Sequence, residues 1–539
     1  MEVEDAVELA QMDSDLRREA ASGIGRALPI VTTLLIFTAL SSYCAVRSEG
    51  FISGDACIHY FAARYAFAHP GNFVDVWGRP VVTTLYAGPA WIGGREGIRV
   101  MAMLIAAGCG IVAWRIARGQ GLRFPALAII FTLGQPLLFL HSFSEMTELP
   151  FALLLGLAFL AWQEKRFWLA AVLVSWTPLA RPEGFGIVAM VILGLAVRRN
   201  WKQLLVLPIP LLLWDLTGYA MSTHRHPWWR WLLDNWPYSG QSMYGRGPIW
   251  AFIIILPMVI SPMVLPAMFL GIWRSLGALR RLAPAHREDD FDFDSDLPFD
   301  AGASAAARSD SPSQCAVDQQ HLKLCIVLTA ALPVFVLIAH SVLFWRGKMA
   351  SAGEARYLIV VAPFWGVLSA RGWEWAFARF QLRRPLLWAA AAVLLPPLLV
   401  NAIFPGVPIP FWHDWNSARQ ITAWYETSPL RKTHPKVTTS HPGVYYFLGV
   451  DPYGSPTVVD WGKDTLRKRP ADTLLIWDPN FGPKNACEEL TMDLAEIRRS
   501  GWVEIPTGLS LKETGDSADD HGKHESGDPE RSWHVFVAP

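Results

Sequence analysis

The sequence predicts an α-helical polytopic membrane protein of about eleven transmembrane helices, with a small C-terminal α/β domain on the extracytoplasmic side. Three observations carry this reading. The 539 residues are 52% hydrophobic and only 17% charged, with 26 Trp set mostly beside apolar runs. A soluble chain of that composition could not cover its surface, whereas a bilayer wants apolar spans of roughly 20 residues with aromatic ends. Eleven apolar runs are bounded by charge or turn residues, and basic residues alternate between the connections that join them.

The runs fall at about 27–46, 98–114, 124–141, 149–163, 167–180, 184–197, 202–221, 248–273, 324–345, 357–370 and 385–404. Those at 167–180 and 184–197 are short and separated by "ARPEG", so they read either as two spans or as a re-entrant pair, and both choices keep the same orientation downstream. The connections "DLRREAASGIGR", "WRIARGQGLR", "EKR", "VRRNWK", "WRSLGALRRLAPAHR" and "ARFQLRR" each carry two or more basic residues, whereas "HSFSEMTE" carries none and "ARPEG" one. Because basic loops stay inside, the segment 1–26 is expected in the cytoplasm and the tail outside. The polar, acidic start "MEVEDAVELAQMDSDLRREA" does not read as a cleavable signal peptide, so the first run is expected to be a retained anchor. A multi-pass plasma or inner membrane protein follows, with a transmembrane domain over 27–404, a first outer loop over 47–97 and a soluble α/β domain over 405–539.

Residues 285–320 are acidic, Ser- and Ala-rich and poor in core-forming side chains, which predicts a disordered cytoplasmic loop. In the tail, "KVTTS", "VYYFLGV", "TVVDW", "DTLLIWD" and "HVFVAP" read as strands and "NACEELTMDLAEIRRSG" as a helix. The zero formal net charge gives no electrostatic case for a nucleic-acid partner. Six scattered cysteines without a CxxC pair exclude a disulfide framework or zinc ribbon as the organising principle. No GxGxxG fingerprint or P-loop lysine motif is present, so dinucleotide and ATP-driven chemistry receive no support.

Polar chemistry collects in the connections assigned to the outer side. Asp55 and His59 in "SGDACIH" share a face at helical i,i+4 spacing. "SGDA" also fits a helix start, and a helix cap and a reactive carboxylate are compatible roles. Glu145 and Glu148 follow the third span in a loop without a basic partner, and ordinary solvation would also account for them. "RPEG" is a turn that explains Pro182 and Gly184 but not Arg181 and Glu183. Arg79 in "WGRP", Arg181, and Arg356 beside Tyr357 in "GEARYL" have the planar donor fork suited to phosphate, with snorkelling to lipid headgroups as the alternative. "HRHPWWRWLLDNW" reads as an interfacial helix, since His224 and His226 lack a third metal ligand at helical spacing. The run "DDFDFDSD" at 289–296 mimics a metal motif, but Ser295 and Ala301 stand where a calcium loop needs Gly and Glu.

Five pieces occur in order: "SGDACIHYFAARY", "WGRPVVTTLYAGPAW", "SEMTELPFALLLGLAF", "LARPEGFGIVAMVI" and "GEARYLIVVAPFWGVLSARG". This layout resembles the GT-C superfamily of integral membrane glycosyltransferases, which use polyprenyl-phosphate sugars and include mannosyltransferases and aminoarabinose transferases. The resemblance implies an inverting transfer from a polyprenyl-phosphate-linked sugar donor to a lipid, glycan or protein acceptor at the outer membrane face, among membrane lipids. It implies Asp55 as general base and Glu145 as the second acid. His59, Arg79, Arg181, Glu183, Arg356 and Tyr357 are then expected to bind substrate. Asp55 is followed by Ala56 where many members carry a second acid, which argues against a metal site built on a tandem pair. No cofactor is required for departure of a lipid phosphate, and a divalent metal near Glu145 and His59 stays open. The alternative is a multi-span transporter or lipid flippase, to which the intramembrane Asp215 would suit.

Overall fold

The computed structural model describes residues 23–221, 245–277, 312–349, 351–403, 407–483, 488–509 and 532–538. The expected interfacial helix with His224 and His226, the acidic run at 289–296 and most of the 1–26 segment lie outside these residues.

Helix α1 (Gly23–Arg47) opens the bundle. The expected first outer loop is largely helical. Helix α2 (Gly54–Arg64) starts where the Ser53 hydroxyl accepts from the Ala56 amide at 3.4 Å, a side-chain cap of the kind that satisfies an orphan N–H. Helix α3 (Pro80–Gly119) continues into the second apolar run through a kink at Gly94, whose φ of 58° glycine tolerates without strain.

The third run is broken after Leu133 into α4 (Ala126–Leu133) and α5 (Pro136–His141), because Pro136 lacks the N–H needed to continue the ladder. Then follow α6 (Glu148–Gln163), α7 (Phe167–Ser175), α8 (Glu183–Val197) and α9 (Ile209–Met221). The run at 248–273 divides into two short helices and α10 (Leu265–Gly277), with Ser261 at φ 87° between them. Helix α11 (Pro312–Arg346) begins inside the interval 285–320, so the end of the expected disordered loop is helical. Residues 355–361 form a 3₁₀ turn ahead of α12 (Ala362–Arg379), and α13 (Pro385–Ile403) closes the bundle.

Among the described residues, four helices are long and apolar enough to cross a membrane: Ala27–Arg47, Pro80–Gly119, Trp201–Met221 and Asp318–Arg346. Other apolar runs form shorter or broken helices, such as Glu148–Gln163 and Glu183–Val197. Small residues let the bundle close. A Cβ on Gly271 of α10 would collide with the carbonyl oxygen of Leu368, and one on Gly372 of α12 with that of Ala267, so the two backbones touch at reciprocal glycines.

The C-terminal residues hold α14 (His413–Thr427), β1 (Lys436–Thr439), α15 (Pro442–Leu448), β2 (Thr473–Trp477), α16 (Leu494–Arg499), β3 (Val503–Glu504) and β4 (His534–Val537). The sheet runs β1-β2-β4-β3, with β1 parallel to β2 and the other pairings antiparallel. "VYYFLGV" is a helix rather than a strand. Pro442 occupies its first turn, His441 Nδ1 accepts from the Gly443 amide at 3.1 Å, and Gly449 ends it at φ 65°. "TVVDW" contributes only a bridge from Val458 to Val437.

This α/β layer packs onto α2 and the 142–147 turn. Phe51, Cys57, Phe61 and Met146 share one buried cluster with Trp415 and Tyr445. At its edge His69 Nε2 lies 2.7 Å from Asp451 Oδ2.

Candidate active site

A cavity of about 440 Å³ opens between α2, the turn before α3, the start of α6, the Arg181–Glu183 turn, α11 and the 351–357 segment. Its polar lining includes Asp55, His59, Arg79, Glu148, Arg181, Glu183, His340, Glu354, Arg356 and Tyr357. Seven of the eight residues expected from the sequence to catalyse or bind substrate are therefore brought to one place, although the segments carrying them are up to about three hundred residues apart.

Local rules aim each side chain. Asp55 sits in the first turn of α2, one turn before His59. The Asp75 carboxylate accepts from the amides of Trp77 at 3.3 Å and Gly78 at 2.7 Å, closing a tight turn. Arg79 leaves that turn at φ 62°, a region non-glycine residues seldom occupy, and Pro80 then starts α3. Arg181 is extended, and Pro182 precedes the first turn of α8.

Two arginine-centred groups organise the charge. Arg181 donates from Nη1 to Glu148 at 2.7 Å and to the Thr147 hydroxyl at 2.8 Å, and from Nη2 to Glu183 at 2.9 Å. Arg356 donates from Nη2 to Asp55 Oδ2 at 2.6 Å, and its Nε contacts Glu354. The two groups meet at Glu148, whose Oε1 is 3.9 Å from Arg356 Nε. Aromatic faces fix the rest: His59 stacks on Trp77 at 4.6 Å, His340 stacks on Tyr357 at 4.9 Å, and Arg181 and Arg356 both lie over the Tyr357 ring.

The titration behaviour follows from burial and neighbours. Burial pulls the His59 imidazole down to about 4 against the opposing charge of Asp55, so the ring is neutral at pH 7. Burial, with Arg181 second, pulls Arg79 down to about 10. Burial also works against the charge of Arg356, but Glu354, Asp55 and Glu148 outweigh it and hold the guanidinium well above its usual value. Glu354 keeps partial exposure, but desolvation by the cavity wall still outweighs the pull of Arg356 and raises the carboxyl.

Glu145 is placed elsewhere. It is fully buried outside the cavity lining, accepting from Arg95 Nε at 3.0 Å and Arg99 Nε at 3.3 Å. These arginines also donate to backbone carbonyls of residues 45–50, so the Glu145 cluster ties the end of α1 to α3. Glu145 therefore has basic partners that the loop itself did not reveal, and Glu148 is the acid that reaches the cavity. Sequence reasoning also passed over Glu354 and His340. Glu354 stands two residues before Arg356 in the quoted "GEARYL", and His340 is an ionisable residue inside an apolar run, which is itself a signal of function. Asp215 is buried but does not line the cavity. Among the described residues, no group of three or more His, Cys, Asp or Glu side chains is arranged to hold a metal ion.

Fold and site together define a helical bundle in which, among the described residues, four helices are long and apolar enough to cross a membrane, with a charged cavity and an α/β layer packed beside it on α2. The same architecture occurs in crystal structures of ArnT from Cupriavidus metallidurans. The apo structure matches with a TM-score of 0.54 at 12% identity over 84% of this chain and 93% of that one. The structure bound to undecaprenyl phosphate matches with a TM-score of 0.51 at 11% identity over 85% and 94%. At such identities the likeness is one of fold. No family model matches the sequence, and no curated protein matches it.

Proposed function

We propose that the chain is a GT-C-type glycosyltransferase that moves a sugar from a polyprenyl-phosphate donor to a lipid, glycan or protein acceptor at the outer membrane face. The observation that carries this reading is the contact between Asp55 and Arg356 in the cavity, a carboxylate held 2.6 Å from a guanidinium. The ArnT fold supports it, since one ArnT structure holds undecaprenyl phosphate.

The chemistry is a single inverting displacement. The acceptor oxygen attacks the anomeric carbon while its proton passes to Asp55. The bond from that carbon to the phosphate oxygen breaks, and its electron pair stays on the lipid phosphate. Asp55 and Glu354 are the cavity carboxylates with substantial side-chain exposure, 38% and 41%, whereas Glu148 at 1% and Glu183 at 11% are enclosed by arginines. A base must reach its proton, which selects the exposed pair. Of the two, Asp55 is held on a regular helix rather than in a loop.

Arg356 and Arg181, with Arg79 beside them, supply preorganised donors for charge developing on the leaving phosphate. Arg356 also links the two events. A phosphate oxygen competing for Arg356 weakens its hold on Asp55, freeing the base as the donor arrives. Glu148 and Glu183 keep Arg181 and Arg356 oriented, and Tyr357 gives both guanidiniums a flat support.

The test is transfer by purified protein in vesicles supplied with undecaprenyl-phosphate carrying a radiolabelled sugar and candidate acceptors. Asp55→Asn preserves shape and removes the proton acceptor, so turnover should fall by about 100-fold or more. Full turnover by a folded Asp55→Asn protein would eliminate Asp55 as the base. Movement of labelled lipid across the vesicle without any transfer would favour the flippase.

A further inference from the structure

Besides the cluster around Trp415 and Tyr445, the α/β layer reaches the first turn of α2 through an aromatic side chain. Phe481 lies in the turn after β2, and its ring covers Gly54, the residue before Asp55. A Cβ on Gly54 would stand 2.7 Å from Phe481 Cζ and 3.2 Å from Cε1. The first turn of α2 is thus packed against a ring from a segment more than four hundred residues later.

The turn that presents Phe481 is itself built with care. Asp478, fully buried, accepts on Oδ1 from the amides of Asn480 at 3.0 Å and Phe481 at 2.7 Å, and on Oδ2 from the Ser440 hydroxyl at 2.6 Å. Burying a carboxylate is costly unless its acceptor sites are filled, and here they are filled by the residues that set the turn. The His441 ring, also fully buried, meets Phe481 edge to face at 5.1 Å. Gly482 leaves room for the Trp477 indole, so the turn itself lies close against β2.

We propose that Phe481 is a positioning residue for Asp55, with Asp478 fixing the turn that seats it, so that the α/β layer sets the geometry of the cavity carboxylate. The inference rests on the glycosyltransferase reading only for its kinetic consequence; the placement of Asp55 is a separate matter. The three atoms nearest a Cβ on Gly54 all belong to the Phe481 ring, and the Ser53 cap fixes where α2 starts but not the tilt of its first turn.

Two measurements test this. In the transfer assay, Phe481→Ala should lower kcat by about tenfold or more while leaving KM for the polyprenyl-phosphate sugar within about twofold, because misplacing a reacting group by roughly 1 Å is costly to turnover. Phe481→Tyr, which keeps the ring, should restore kcat. Gly54→Ala, which pushes the ring from the other side, should also lower kcat, and adding Phe481→Leu should recover part of it. Wild-type kcat in Phe481→Ala, or a loss that Phe481→Tyr does not restore, would overturn the proposal.

The second measurement needs no transfer. Asp55→Cys is introduced after Cys315 and Cys487 are replaced by Ser, leaving Cys44, Cys57, Cys109 and Cys325, which are buried. Alkylation of residue 55 by a water-soluble maleimide should change several-fold on adding Phe481→Ala and return with Phe481→Tyr. An unchanged rate would refute the positioning role even if transfer is robust. If wild-type protein shows no transfer from any donor, the glycosyltransferase reading falls while the alkylation rates still decide the placement of Asp55.

Discussion

His59 illustrates how the cavity trades solvation for order. Its ring is buried against Trp77 one turn from Asp55, and Asp55, Arg79, Glu148 and Arg356 all act on it. Burial nevertheless dominates and pulls the imidazole down to about 4 from an ordinary value near 6.5. The sign is then fixed by linkage. Below pH 6.5 the unfolded chain takes up a proton that the folded chain refuses until about pH 4, so stability present above pH 6.5 is lost as pH falls through that window. The effect is worth up to roughly 3 kcal/mol. His59→Gln should flatten the decline in thermal stability between pH 6.5 and 4 relative to wild type, measured in detergent by tryptophan fluorescence; parallel curves would refute the assignment. The sequence placed Asp55, His59 and the arginines because acids and cations bordering apolar runs are few. The resemblance pointed to Glu145 as the second acid, whereas Glu148 is the one that lines the cavity. Three residues apart in one loop, they are sorted by Arg95 and Arg99, which lie on a helix arriving from the other side of Gly94.

At the scale of elements, α10 and α12 show what holds the bundle without a strong hydrophobic drive between apolar helices. Their closest approach is a pair of glycines facing backbone carbonyls, where close contact gives dispersion and Cα–H···O interactions. Backbone cannot step aside as a side-chain tip can. Gly271→Ala should therefore lower stability by about 1–3 kcal/mol through forced separation of the helices. Gly277→Ala, where a Cβ meets nothing within 4 Å, should be close to neutral. Equal melting temperatures for the two variants in one detergent would exclude the close-packing account. Helical character was legible from composition and run length, but the breaks were less so. The 124–141 run reads as one span although Pro136 divides it, and "VYYFLGV" has strand-like composition although His441, Pro442 and Gly449 supply a helix start and stop. Local capping outweighed β propensity there, as it does when a short segment packs on other helices rather than into a sheet.

The whole molecule is organised so that one ligand can bridge its parts. The cavity takes residues from α2, the Arg79 turn, α6, the Arg181–Glu183 turn, α11 and the 351–357 segment, a span of about three hundred residues. Without ligand, four carboxylates pair with two arginines: Arg181 holds Glu148 and Glu183, and Arg356 is shared among Asp55, Glu354 and Glu148. An incoming phosphate must compete with them, so its gain lies in joining Arg356 to Arg181 across Tyr357. Ligand that binds only the folded state raises stability by mass action, about 2.7 kcal/mol at a hundredfold excess over Kd. Undecaprenyl phosphate should accordingly raise the melting temperature of the purified protein by several degrees, whereas undecaprenol, with the same tail and no phosphate, should raise it much less. In Arg356→Ala the difference between the two lipids should shrink towards zero. Equal shifts from both lipids in wild type would mean that the tail alone is recognised, and the arginine cluster would then need another anion or a purely structural explanation.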